Sequence, residues 1–236
     1  MSGKDAESSL VFSSKARVIL MNNEKMVNEI VSLIMEQLKG QTLEADASKS
    51  VKVGVSARHV HLSREDMDVL FGKGSELTPF KELMGGQYAA KETVTIIGLK
   101  MRPITNVRVL GPLRKQTQVE VSATDCISLG VKAPVRLSGD LKDSAPIIIV
   151  GPKGAVSLQE GCIVAQRHIH MSPADAERYG VHDKQVVNVQ APGGRGGVLE
   201  KVPIRVDPTF TTEMHIDTDE ANGLGIRNGE QLPIIL

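Results

Sequence analysis

The sequence predicts a mainly β protein, built as two related small β-barrels capped by short α-helices, with an N-terminal helical extension in front of them. Three observations carry that prediction. From residue 51 onward, short runs of alternating apolar residues recur between Gly- and Pro-containing turns. A capped-helix unit repeats along the same stretch, and a tripeptide pattern with two histidines occurs twice.

Composition sets the outer limits. A chain of 236 residues, 41% of them hydrophobic, can bury the core of one large domain or two small ones. With 28 basic and 28 acidic residues it carries no net field toward nucleic acid or an anionic membrane. No Trp, four Phe and two Tyr argue against a base-stacking platform, so the expected partners are small molecules or proteins. No apolar run approaches the ~20 residues that span a bilayer. The start, MSGKDAESSLVFSSKARVIL, has no long apolar segment followed by a cleavage site, and the chain reads as cytosolic. Cys126 and Cys162 have neither the number nor the spacing of a disulfide framework or a CxxC metal site, and read as small core residues.

Residues 1–47 form the extension. Within it NNEKMVNEIVSLIMEQLKG predicts a helix near 23–39, with Met26, Val27, Ile30, Val31, Ile34 and Leu38 at three- and four-residue intervals and Gly40 ending it. Ser-, Lys- and Asp-containing tethers flank this helix, which reads either as a core-packing element or as a docking peptide. VKVGVSA then places Val51, Val53 and Val55 on one face, and ETVTIIG, ITNVRVLG and QVEVSA continue the alternation. Punctuation by GP, PG and GG favours barrels over a parallel α/β sheet. Between strands, SATDCISLGVKAPVRL, SPADAERYGVHDKQVVNV and DTDEANGLGIRNGEQLPII share one plan. Each begins with Ser or Asp, has an acid three residues later, and reaches Gly130, Gly180 or Gly225 before the next strand. LSREDMDVLFGKG starts the same way, so the repeats point to duplication and hence to two barrels.

The chemistry concentrates in RHVHLSRED (58–66) and RHIHMSPAD (167–175), which hold four of the six histidines. Side chains at i and i+2 of a strand share a face, so His59 points with His61, and His168 with His170. Neutral imidazoles are the commonest zinc ligands, and each pair needs one or two further donors. His215, at a strand end in EMHIDTDE, is the natural third ligand for His168 and His170. No comparable histidine remains for the first pair, because His182 lies in a helix-to-strand turn. Glu120, which interrupts two valines in TQVEVSA and shares its polar side with Gln118 and Ser122, is the candidate there. The arginine before each pair reads as a cation tolerated beside neutral, metal-bound imidazoles. Arg114 and Lys115, in LGPLRKQTQ, offer positive charge for a substrate anion. APGGRGGVLE lacks the ending and context of a P-loop and reads as a flexible hairpin. Two other classes fit part of the pattern. In a cupin-type enzyme, HVHLSREDMDVLFG would hold one iron or manganese with Glu65 as its carboxylate, although the second copy has Ala174 at that position. A non-catalytic, zinc-stabilised scaffold component is the other.

In order along the chain, SARHVHLSREDM, VLGPLRKQTQVEVSATD, VAQRHIHMSPADA and EMHIDTDEAN resemble the PduL-type phosphate propanoyltransferases, the phosphotransacylases of bacterial microcompartments, over residues 50–236. The resemblance implies interconversion of acyl-CoA plus phosphate with acyl phosphate plus CoA, propanoyl-CoA being the usual substrate, at a two-zinc site between two barrels. It implies that His59, His61 and Glu120 hold one zinc, that His168, His170 and His215 hold the other, and that Arg114 holds phosphate. One barrel would comprise 48–57 plus 166–236 and the other 58–165. ELMGGQYAAKETV would lie near a dimer contact, giving a homodimer or a higher homo-oligomer. Residues 1–47 would act as an encapsulation peptide for shell or cargo proteins, placing the enzyme in the bacterial cytoplasm inside a microcompartment. No serine in the motifs has an obvious base partner, so direct attack by phosphate is the expected mechanism.

Overall fold

The computed structural model describes residues 26–33 and 49–236. The chain divides into two compact units, Met1–Glu44 and Ala45–Leu236. In the first, residues 26–33 form helix α1 within the expected 23–39 segment, the remainder of which lies outside the described residues. The second unit runs β1 (Ser50–Ser56), β2 (His59–Ser63), α2 (Arg64–Phe71), β3 (Pro79–Glu82), a 3-10 turn (Met84–Gly86), β4 (Tyr88–Ile97), β5 (Pro103–Arg114), β6 (Gln118–Glu120), α3 (Ala123–Leu129) and β7 (Val135–Arg136). It continues through β8 (Ala145–Val150), β9 (Ala155–Ala165), β10 (His168–Met171), α4 (Pro173–Tyr179), β11 (Val186–Ala191), β12 (Gly197–Val206), β13 (Glu213–Asp217), α5 (Thr218–Leu224) and β14 (Gln231–Ile235). Among the described residues no helix is long and apolar enough to cross a membrane.

These strands close two six-stranded barrels, the fold class expected from the alternating pattern. One closes in the order β1, β13, β10, β12, β11, β14. The other runs β4, β5, β2, β6, β9, and closes through β8, which pairs with both β4 and β9. Each has its own core: Val51, Val53, Ile169, Met171, Met214 and Ile216 lie in the first, and Val60, Leu62, Val107, Val109 and Val119 in the second. Pairing with late strands draws β1 into the first barrel, parallel to β13 and antiparallel to β14. The chain therefore crosses between barrels just before β2 and again just before β10. Both crossings lead into a histidine strand.

The repeated helix unit takes the form its sequence predicts. Ser63, Ser122, Ser172 and Asp217 are N-caps whose side chains accept from the backbone N–H of Asp66, Asp125, Asp175 and Glu220. In α3 and α5 the acid returns the bond and completes a capping box. Gly130, Gly180 and Gly225 end α3, α4 and α5 at φ of 72°, 68° and 69°, a left-handed turn that a Cβ would strain.

Candidate metal centre and substrate cleft

Strand register builds two ligand sets from local rules. His59 and His61 share one face of β2, and antiparallel β6 sets Glu120 directly opposite His59. His168 and His170 repeat this on β10, and antiparallel β13 sets His215 directly opposite His168. One ligand atom from each of His59, His61 and Glu120 lies within 4.8 Å of the other two, and the same holds for His168, His170 and His215. The sequence-predicted donors are thus brought together as two threes, and both line one cleft of about 630 Å³. Glu65 is exposed in the first turn of α2, outside either cluster, and His182 is exposed as well.

The donor sets suit a metal by their protonation and their lack of partners. Nδ1 of His59 donates to the Ala57 carbonyl at 2.9 Å, and Nδ1 of His168 to the Gln166 carbonyl at 2.8 Å. A carbonyl only accepts, so each Nδ1 carries the proton; Nε2 of His168 then keeps its lone pair free, whereas Nε2 of His59 faces the Glu120 carboxylate. Nδ1 of His61 and both ring nitrogens of His170 are buried without a hydrogen-bond partner, an arrangement that costs about 1–3 kcal/mol per atom unless something binds there. Burial lowers the pKa of His61 to about 3, of His168 to about 4 and of His170 to about 2, keeping them neutral. At His59 burial also opposes charge, but the Glu120 carboxylate, 3.3 Å from Nε2, outweighs it and raises the pKa. Burial likewise opposes charge on Glu120, and His59 overrides it, holding the carboxyl below its usual range.

The arginine preceding each pair has a different purpose from the one its sequence position suggests. Arg58 grips Asp125 with two bonds of 2.8 Å, from Nε and Nη2. Arg167 donates from Nη1 to Glu220 at 2.6 Å. Asp125 and Glu220 are the capping-box acids of α3 and α5, the helices that follow the third-ligand strands β6 and β13. Each arginine therefore ties a histidine strand to the strand that completes its cluster.

Positive charge enters the cleft from both barrels. Arg114 lines it, whereas Lys115 is exposed outside it. Nη1 of Arg114 donates to Ser138 Oγ at 3.0 Å, and Gln118 donates both to Ser138 Oγ at 2.9 Å and to Glu120. One hydrogen-bond network thus orients the arginine and the carboxylate together. Arg205 stands beside His170 in register, from β12, and lines the same cleft. It makes no ion pair among the described residues. Burial lowers the Arg114 pKa, and the field of Arg205 adds to that. Sequence reasoning missed Ser138, Arg205, Phe210 and Met84, because their relation to the cleft arises only where separate segments meet.

The family model described as phosphate propanoyltransferase matches residues 52–227. A phosphate propanoyltransferase of Lachnoclostridium phytofermentans is 56% identical over 212 residues, 90% of this chain and 97% of the relative. One from Thermotoga maritima is 57% identical over 185 residues, covering 78% of this chain and 88% of the relative. One from Listeria monocytogenes is 47% identical over 211 residues, covering 89% and 97%.

Proposed function

The chain belongs to the phosphate propanoyltransferase family, and from that premise we propose that it interconverts acyl-CoA plus phosphate with acyl phosphate plus CoA, with propanoyl-CoA as the usual substrate. The observation that carries the reading is the pair of three-donor clusters opening, with Arg114 and Arg205, into one cleft. In this reading His59, His61 and Glu120 hold one zinc, and His168, His170 and His215 hold a second. Bound zinc supplies Lewis acidity for a thioester carbonyl and a phosphate oxygen.

The chain's own residues do the rest. Arg114, braced by Ser138, and Arg205 from the opposite barrel neutralise the phosphate dianion and aim it. A phosphate oxygen attacks the thioester carbon, the carbon–sulfur bond breaks, and CoA leaves as thiolate, which takes up the proton released from phosphate. Direct attack is supported by the lack of an activated protein nucleophile among the described residues. Ser56, Ser122 and Ser138 line the cleft, and none has a hydrogen bond to a histidine; Cys126 and Cys162 are buried outside it. The purified protein should form acyl phosphate from acyl-CoA and phosphate, lose this activity to a chelator and regain it with zinc. Undiminished activity under chelation would eliminate the zinc assignment, and a burst of CoA without phosphate would eliminate direct attack. Two zincs per chain are expected; a single iron would favour the cupin alternative.

The N-terminal extension, 1–47, belongs to the same proposal as an encapsulation peptide for microcompartment shell or cargo proteins, and the enzyme as a homodimer or a higher oligomer. Co-sedimentation with shells should be lost when the extension is removed, and light scattering should give a mass above one chain.

A further inference from the structure

An acyl donor brings an alkyl group into a cleft whose centre is lined by histidines, carboxylates and arginines. Phe210 is the one aromatic hydrocarbon ring that lines it among the described residues. Its ring stacks on His170 of the second donor cluster, with centroids 4.1 Å apart and planes at 33°. The Arg205 guanidinium lies 6.0 Å from the ring centre. A turn at Asp207–Phe210, closed by Phe210 N donating to the Asp207 carbonyl at 3.0 Å, holds the backbone.

The opposite barrel braces this ring. Met84, in the 3-10 turn before β4, accepts through its sulfur from Thr211 N at 3.3 Å. A Cβ added at Gly85 would lie 3.6 Å from both Cδ1 and Cε1 of Phe210, ordinary van der Waals distance, so the turn faces the ring's edge. Met84 and Phe210 both line the cleft, one from each barrel, and together make an apolar wall next to a metal-ligand candidate.

We propose that Phe210, clasped by Met84 and Gly85 from the other barrel, is the wall against which the acyl chain packs and which sets its maximum length. The inference rests on the acyltransferase reading and deepens it. A short chain gains roughly fourfold in kcat/KM for each methylene buried against the ring. A longer one meets a ring that cannot yield, because His170 backs its face and the 84–86 turn its edge.

The test is kcat/KM for acetyl-, propanoyl-, butanoyl- and hexanoyl-CoA with the zinc-loaded enzyme and its Phe210→Ala, Phe210→Leu and Met84→Ala variants. Phe210→Ala should raise the butanoyl-to-propanoyl ratio about tenfold or more, with Phe210→Leu between it and the parent and Met84→Ala giving a smaller rise. Because the readout is a ratio within one enzyme, loss of metal or of folded protein, which scales all rates alike, cannot imitate the effect. A ratio in Phe210→Ala within about twofold of the parent overturns the inference, whether or not the rates for all four substrates fall together. If the parent enzyme forms acyl phosphate from none of the four, the acyltransferase reading fails and the inference falls with it.

Discussion

At the scale of single residues, position in a hydrogen-bond network decides what each charged group can do. Arg114 shares Ser138 with Gln118, so its guanidinium is held beside Glu120 rather than left to solvent. Replacing it with Ala should raise the KM for phosphate roughly 10- to 100-fold, the worth of a charge-assisted bond, and far more than the KM for acyl-CoA. Equal effects on both in steady-state kinetics would remove its assignment to phosphate. Arg167 acts one step further away. Arg167→Ala should weaken zinc binding about 10- to 100-fold in a chelator competition, with partial recovery in Arg167→Lys. A lowered melting temperature with unchanged zinc affinity would reduce it to a structural tie. Cys162 illustrates the opposite case. Burial pushes its thiol up to about 12, so almost no thiolate exists at neutral pH. Ellman's reagent should leave it untouched in the folded protein at pH 8 and react once denaturant is added; rapid native labelling would contradict this.

At the scale of elements, the recurring unit is a strand carrying a candidate ligand followed by a capped helix. Ser122 caps α3 two residues after Glu120, and Asp217 caps α5 two residues after His215. The cap fixes where the strand ends, and so the depth at which the ligand enters the cleft. Ser122→Ala should cost about 1 kcal/mol, seen by calorimetry as a melting temperature lower by roughly 2–4 °C. No change would show that the Asp125–Arg58 pair holds the junction unaided. These elements were legible in the sequence because caps, strand alternation and left-handed glycines are local signals, written within a few neighbouring residues. Also legible was the shared face of each histidine pair, which follows from the two-residue period of a strand.

At the scale of the whole molecule, the two barrels of the second unit meet where both donor clusters open. Asp219, in the first turn of α5, accepts from Thr124 N of α3 at 2.7 Å and so links the helix that follows His215 to the one that follows Glu120. If the native fold alone assembles both metal sites, metal must stabilise it by linkage. Chelation should lower the melting temperature, added zinc should restore it, and a melting curve indifferent to zinc would overturn the metal assignment. By itself the sequence determined the β class, the duplicated plan and the shared face of each histidine pair, because each depends on spacing along the chain or on a repeated motif. Tertiary structure decided what lies between them. Arg205, Phe210 and Met84 reach the cleft from separate turns and strands, and the arginines of the two motifs find their partners 67 and 53 residues away. No local pattern encodes such meetings, since they exist only once both barrels have closed and packed.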